Sequence, residues 1–281
     1  MSEAEQTLRD FLSHSQFARA GAVITDLDGT ALHQSNGRTI IARPVELALK
    51  RLYELGRPFV LNSLRHPLSI LRSFGQDWYR ISNAPIPTVT LNGSLIGYIA
   101  LNSSQNGSTE SIVFEERAAF PLSHAQIDAA LDEAARAIAA GDPGPRLFCY
   151  PRRWPAGEIL WTPGVSGLSA LRAQLHSEDI CMIHLQQTGR DHFVTRPGTD
   201  KLSGARHLTE LLPFDLASSI GAGDTDMDSF LNGVGLALLV GDLPLQFRGR
   251  FRTLRLKDSL ELGDLLFQLA GMLGRNLKAL T

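Results

Sequence analysis

A rhythm in the first hundred residues constrains this chain more than any other feature: short apolar runs alternate with helical spacing. Gly21–Thr30, GAVITDLDGT, begins apolar and ends in two acids and a glycine, which predicts a buried strand running into a polar turn. Thr39–Leu55 carries helical spacing, with Pro44 near its start and Gly56 just past its end. Pro58–Asn62 reads as a second buried strand, Ser69–Phe74 as a helical turn or two, and Thr88–Leu91 as a third strand closed by Asn92-Gly93. Strand, helix, strand, helix, strand is the signature of a parallel sheet. Ligands of such sheets bind beyond the carboxyl ends of the strands, so the residues just after each apolar run are the first to inspect.

The rhythm changes after about Gly97. Leu101–Ser111 is a polar loop suited to a hairpin tip. Ser123–Ala140 is the clearest helix: Ser123 and Gln126 form a capping box, and Ile127, Leu131, Ala134 and Ile138 make one apolar face that ends before Gly141. Gly141–Pro145 breaks it, and Asp179–Leu185 and His192–Arg196 read as paired strands. The parallel rhythm then resumes, with a helix over Leu202–Leu212, strands over Leu216–Ile220, Gly235–Val240 and Phe251–Leu256, and a helix near Leu260–Leu273. The expected architecture is α/β: a Rossmann-like parallel core from residues 1–95 and 197–281, interrupted by an α+β unit over 96–196.

Composition excludes some functions. With 281 residues, 43% hydrophobic and 20% charged, a packed core is expected, and a net charge of -2 argues against a broad nucleic-acid surface. No stretch is apolar for the roughly 20 residues of a membrane span. The polar, acidic start, Met1–Asp10, does not resemble a signal peptide. Cys149 and Cys181 form no metal-binding spacing and read as free thiols of a reducing compartment. The sequons at Asn92, Asn102 and Asn106 then read as chance matches, and the protein is expected to be soluble and cytoplasmic.

The chemistry concentrates at Asp26-Leu27-Asp28-Gly29-Thr30. A carboxylate at Asp26, at the end of a buried strand, can attack phosphorus and form an acyl phosphate. Asp28 can move a proton at the leaving oxygen, the amides of Leu27 and Asp28 can face an anion, and Gly29 permits a tight turn. The same acids would also suit an ordinary strand-end turn.

The pentamer resembles the first motif, DxDGT, of the haloacid dehalogenase (HAD) phosphohydrolase superfamily, and three further motifs follow in that family's order. Ser63, after the second apolar run, stands where the family has a phosphate-binding hydroxyl. Leu64 replaces the glycine frequent in Thr-Gly-Arg, and Arg65 is retained. Lys201, in Gly198–Ala205, is similar to the family's lysine at a helix start. Gly223-Asp224-Thr225-Asp226-Met227-Asp228 fits GDxxxD. A second register, similar to trehalose-phosphate phosphatases, would make Asp226 the second acid but places Ala222 where an acid belongs; the Asp224/Asp228 register loses no acid.

The resemblance covers about two thirds of the chain. It implies Mg²⁺ with Asp26 and Asp224 as side-chain ligands, the backbone carbonyl of Asp28 as a third, and Asp228 as the paired acid. It implies Asp26 as nucleophile, Asp28 as proton donor and acceptor, and Ser63 and Lys201 on the phosphate. The inserted block sits where type-two caps of the Cof-like and sucrose-phosphatase-like (C2B) branch sit, which implies a small sugar-like phosphomonoester as substrate. Arg65, Asn92 and Gly93, beside the motifs, are candidates for substrate contact. Arg152, Arg153, Trp154, Glu158, Trp161 and His184 are cap candidates. A phosphosugar mutase of the same fold and a non-catalytic phosphosugar- or partner-binding module remain as alternatives.

Overall fold

The computed structural model describes residues 2–102, 110–142, 145–153 and 165–278. The chain opens with α1 (Glu3–His14) and α2 (Phe17–Ala20), then β1 (Val23–Thr25), a hairpin of β2 (Leu32–Ser35) and β3 (Arg38–Ile41), α3 (Arg43–Glu54), β4 (Phe59–Asn62), α4 (Pro67–Ser82) and β5 (Ile86–Thr90). Next come β6 (Leu95–Asn102), β7 (Ser111–Ala119), α5 (His124–Ala139), β8 (Arg146–Pro151), α6 (Val165–His176), β9 (Ile180–Gln187) and β10 (Arg190–Val194). The chain ends with α7 (Lys201–Leu211), β11 (Ile220–Gly223), β12 (Leu236–Val240), β13 (Arg252–Leu256) and α8 (Ser259–Lys278).

Eight strands form one sheet in the order β13-β12-β11-β1-β4-β5-β6-β7. The six from β13 to β5 run parallel, and β6 and β7 add antiparallel. Strands β1, β4, β5, β11 and β12 are buried along their whole length, as a sheet covered on both faces requires. One face packs Phe11, Leu49, Trp78 and Leu269 of α1, α3, α4 and α8; the other packs Ala205 and Leu208 of α7 with Phe230 and Leu231. Each fully buried side chain of this kind contributes about 1.5–3 kcal/mol. A separate three-stranded antiparallel sheet, β10-β9-β8, packs against α5 and α6 through Leu131, Leu147, Leu171 and Ile183. The capping box of Ser123 and Gln126 is present at the start of α5. Leu91 and Leu95 meet Cys181 and Met182, which joins this smaller unit to the edge of the large sheet.

The structure corrects several expectations. The helix expected from Thr39 begins at Arg43, because Thr39-Ile40-Ile41 pairs with Leu32–Gln34 across Asn36-Gly37, both at positive φ. An Asn-Gly pair at two left-handed positions is the two-residue hairpin turn, which the helical spacing concealed. The short helix expected over Ser69–Phe74 runs for 16 residues, with Ile70, Phe74, Trp78 and Ile81 on its buried face. The strand expected over Leu216–Ile220 lies over Ile220–Gly223, so Asp224 follows its last residue directly. The insertion expected from residue 96 would start inside β6. Both β6 and β7 belong to the large sheet, and the smaller α+β unit begins after Ala119. The pattern misled there because two edge strands joined by a polar loop look the same in either unit. Trp154, Glu158, Trp161, Asn106 and most of the expected 101–111 loop lie outside the described residues.

Candidate active site

Strand register builds the site. Thr25 lies opposite Leu61 on β4 and Ala222 on β11, so Asp26, Asn62-Ser63 and Gly223-Asp224 leave the sheet side by side. The Asp26 N–H donates to the Ala222 carbonyl at 2.9 Å. Ala222 is thus a buried strand position, and an acid there would sit inside the sheet. Asp228 is buried and Asp226 is exposed.

Lys201, the first residue of α7, is 1% exposed and donates to Asp26 Oδ1 and Asp228 Oδ1, both at 2.6 Å. The other oxygen of Asp228 accepts from the Asp224 and Thr225 N–H groups, each at 2.9 Å, and from Thr225 Oγ1. Asp228 thereby holds the loop after β11 and aims the ammonium. Thr30 Oγ1 donates to Asp224 Oδ1 at 2.9 Å. Gly29, at φ 74°, lets Asp224 close in: a Cβ there would stand 2.0 Å from Asp224 Oδ2. Carboxylate oxygens of Asp26, Asp224 and Asp228 all lie within 4.8 Å of one another.

Electrostatics mark this cluster as short of positive charge. Burial pushes the Asp26 carboxyl up to about 8; Lys201 opposes that shift, and Asp228 and Asp224 reinforce it. Asp224 is raised chiefly by burial, against the Thr30 hydrogen bond. Burial works against the charge on Lys201, but Asp26 and Asp228 outweigh it, so its pKa is raised. Three carboxylates face one ammonium. A set of hard oxygen donors with that deficit fits a divalent cation such as Mg²⁺.

Around the cluster, Ser63 is buried, its N–H donates to the Val89 carbonyl, and its Oγ accepts from the Arg65 N–H at 3.1 Å. The Arg65 guanidinium, expected on substrate, instead forks onto Asp28, with Nε and Nη2 each 2.6 Å from a carboxylate oxygen, while Nη1 reaches Ser69 Oγ. A planar fork matches a carboxylate, which explains the pairing. Leu64 is at negative φ, so this loop has no need of the glycine it lacks. Asn92 and Gly93 are buried next to Ser63 and Asp200.

Of the cap candidates, Arg152 pairs with Glu116 and Asp179, and His184 stacks between Phe148 and Phe193 with Nε2 3.1 Å from Asp191. Arg153 is exposed. Three contributors went unassigned from sequence: Thr30, Asn62 and His66. Asn62 Nδ2 donates to the Lys201 carbonyl at 2.9 Å. His66 caps α4 by accepting the Leu68 N–H at Nδ1, which leaves the proton on Nε2, 3.1 Å from the Pro151 carbonyl of β8. Burial pulls its pKa down to about 4. A signal for Thr30 lay in the pentamer itself; His66 had only its place before Pro67, at the start of a helix.

No protein-family model matches the sequence, and no curated protein does. Solved structures do. BT1666 from Bacteroides thetaiotaomicron, a phosphatase of the haloalkanoate (HAD) superfamily, is 14% identical over 90% of this chain and 96% of its own, with a TM-score of 0.61. A HAD/COF-like hydrolase from Plasmodium vivax is 13% identical over 96% and 99%, at 0.67. The HAD subclass IIB sugar phosphatase BT4131 is 13% identical over 79% and 87%, at 0.54. Among the described residues, no helix is long and apolar enough to cross a membrane. With its mixed eight-stranded sheet and its added α+β unit, this chain has the fold of the HAD superfamily phosphatases of the Cof-like, subclass IIB kind.

Proposed function

We propose that the protein is a Mg²⁺-dependent phosphomonoesterase that works through an aspartyl phosphate on Asp26. One observation carries the reading: Asp26, at a strand end, shares Lys201 with Asp228 and lies within ligand distance of Asp224. Asp26 and Asp224 would hold the ion through their side chains and Asp28 through its carbonyl, while Asp228 anchors the loop and Lys201. When bound, the ion screens the phosphate's charge and supplies the positive charge the three carboxylates call for.

Lys201 and the Ser63 hydroxyl bind phosphoryl oxygens, together with the amides of Leu27 and Asp28. Asp26 attacks phosphorus in line as the bond to the leaving oxygen breaks, and Asp28 delivers a proton to that oxygen. Asp28 then takes a proton from the water that attacks the aspartyl phosphate, which releases inorganic phosphate and restores Asp26. Asp28 takes up the leaving group's proton from solvent before the first step, turns out of the Arg65 fork to deliver it, and returns the proton it gains from water to solvent after the second.

The subclass IIB sugar phosphatase among the similar folds supports a small sugar-like phosphate as substrate. Buried, unpaired Cys149 and Cys181 suit the reducing cytoplasm. The test is phosphate release from a generic aryl phosphate with Mg²⁺ and with EDTA, run in ¹⁸O-labelled water. Release only with the metal, with label in the phosphate, is expected. Transfer to an added sugar hydroxyl without label would make it a mutase, and no turnover with any phosphorylated metabolite would make it a binding module.

A further inference from the structure

Three consecutive residues between β5 and β6 are left-handed: Leu91 at φ 49°, Asn92 at 54° and Gly93 at 87°. Glycine adopts this region freely and asparagine tolerates it, but leucine meets a steric penalty. Closing two antiparallel strands does not call for such a run. Nor does the Asn92 side-chain oxygen hold it, because this buried Oδ1 has no hydrogen-bond partner. Backbone strain that persists in a buried turn points to a role beyond chain reversal.

The turn lies between two arms of the site. On one side, the Leu91 N–H donates to the Arg65 carbonyl at 3.3 Å and the Asn92 N–H to the Ser63 carbonyl at 3.4 Å. On the other, Gly93 sits so close to the start of α7 that a Cβ would stand 2.1 Å from the Asp200 carbonyl oxygen. A Cβ on Gly204, one turn into α7, would stand 3.0 Å from Gly93 Cα and 2.5 Å from Val89. The bond from Asn62 to the Lys201 carbonyl closes the ring. One strained turn therefore touches both the segment carrying Ser63 and Arg65 and the helix start carrying Lys201.

We propose that Leu91-Asn92-Gly93 is a positioning turn whose left-handed backbone sets the spacing between Ser63 and Lys201 across the phosphate. This rests on the phosphatase reading above. The backbone conformation at Asn92 carries this role, so Asn92→Gly recovers part of what Asn92→Ala removes.

The experiment compares three variants of the full chain with wild type, in aryl phosphate turnover, in the affinity for inorganic phosphate by calorimetry, and in cooperative unfolding. Asn92→Gly is expected to keep at least about tenfold more kcat than Asn92→Ala, since both lack the amide and only glycine keeps positive φ without strain. Asn92→Ala is expected to lose up to about a hundredfold in kcat, with weaker phosphate binding, as misplacement by about an ångström does. Gly204→Ala gains helix propensity but presses on Val89 and Gly93, so its unfolding is read beside its turnover; with cooperative unfolding retained, it is expected to lose kcat all the same. Equal losses in Asn92→Gly and Asn92→Ala would overturn the proposal, as would folded Asn92→Ala or Gly204→Ala with wild-type kcat and phosphate affinity. If Asn92→Ala does not fold, Gly204→Ala decides. A wild type that neither turns over nor binds phosphate shows instead that the phosphatase reading failed, and the proposal falls with it.

Discussion

The large sheet and the smaller α+β unit use charge in opposite ways. At the strand ends of the sheet, Lys201, Asp26 and Asp228 have side chains 1%, 8% and 0% exposed and bond at 2.6 Å. In the α+β unit, Arg172 pairs with Asp128 and Asp132 at side-chain exposures of 41%, 34% and 56%. A solvated pair contributes little to stability and tolerates loss of a partner. A buried one leaves an uncompensated charge when a partner is removed, and it persists where something other than stability requires it. Loss of a partner should therefore be felt at the buried cluster and hardly at the Arg172 pairs.

The sharpest way to break this contrast is Asp26→Asn, which should cost at least about 10⁴-fold in turnover while the protein stays folded. Turnover near wild type would remove Asp26 as nucleophile. Lys201→Met strands two buried carboxylates and should lower stability by about 3–5 kcal/mol, read from the urea midpoint. An unchanged midpoint would put the pair on a par with the solvated ones. Mg²⁺ at a hundred times its Kd should stabilise the wild type by about 2.7 kcal/mol, a gain that EDTA reverses.

Without metal, stability should also depend on pH. The folded pKa of Asp26 is raised from 3.8 to about 8, so the folded state holds an extra proton between those values. Between about 4 and 6.5 the lowered pKa of His66 opposes this, so the fall in stability with rising pH shows between about 6.5 and 8 and levels off above it; Mg²⁺ should suppress the slope. Thermal melts at several pH values, with and without Mg²⁺, measure it, and a metal-free curve that rises between about 6.5 and 8 would contradict the raised pKa. Arg172→Ala is the opposite pole, with an expected cost of about 0–1 kcal/mol and no change in turnover.

Legibility divides along the same line. The segments of the site could be read in the sequence because each combines a local signal with a fixed order: Asp26 and Asp28 after an apolar run, Ser63 after the next, Lys201 opening a helix, Asp224 and Asp228 closing the set. What they do to one another could not. The capture of Arg65 by Asp28, the closeness of Gly29 to Asp224 and the hold of Asn62 on the Lys201 carbonyl join residues 37, 195 and 139 positions apart. No periodicity carries such contacts. The missed hairpin differs in kind: Asn36-Gly37 announced it, and Pro44 with the helical spacing around it drew the helix too far back. The membership of β6 and β7 followed from pairing, which alternation alone does not specify.

The histidine before Pro67 has a consequence for how any rate profile is to be read. Its ring stays neutral until the solution is well into the acid range, so the link it makes from the first turn of α4 to the backbone of β8 keeps one donor and one acceptor throughout neutral conditions. This tether is deaf to the proton concentration at which the carboxylate cluster responds. A bend in turnover between weakly acidic and weakly alkaline solution would therefore not report the loss of this tether.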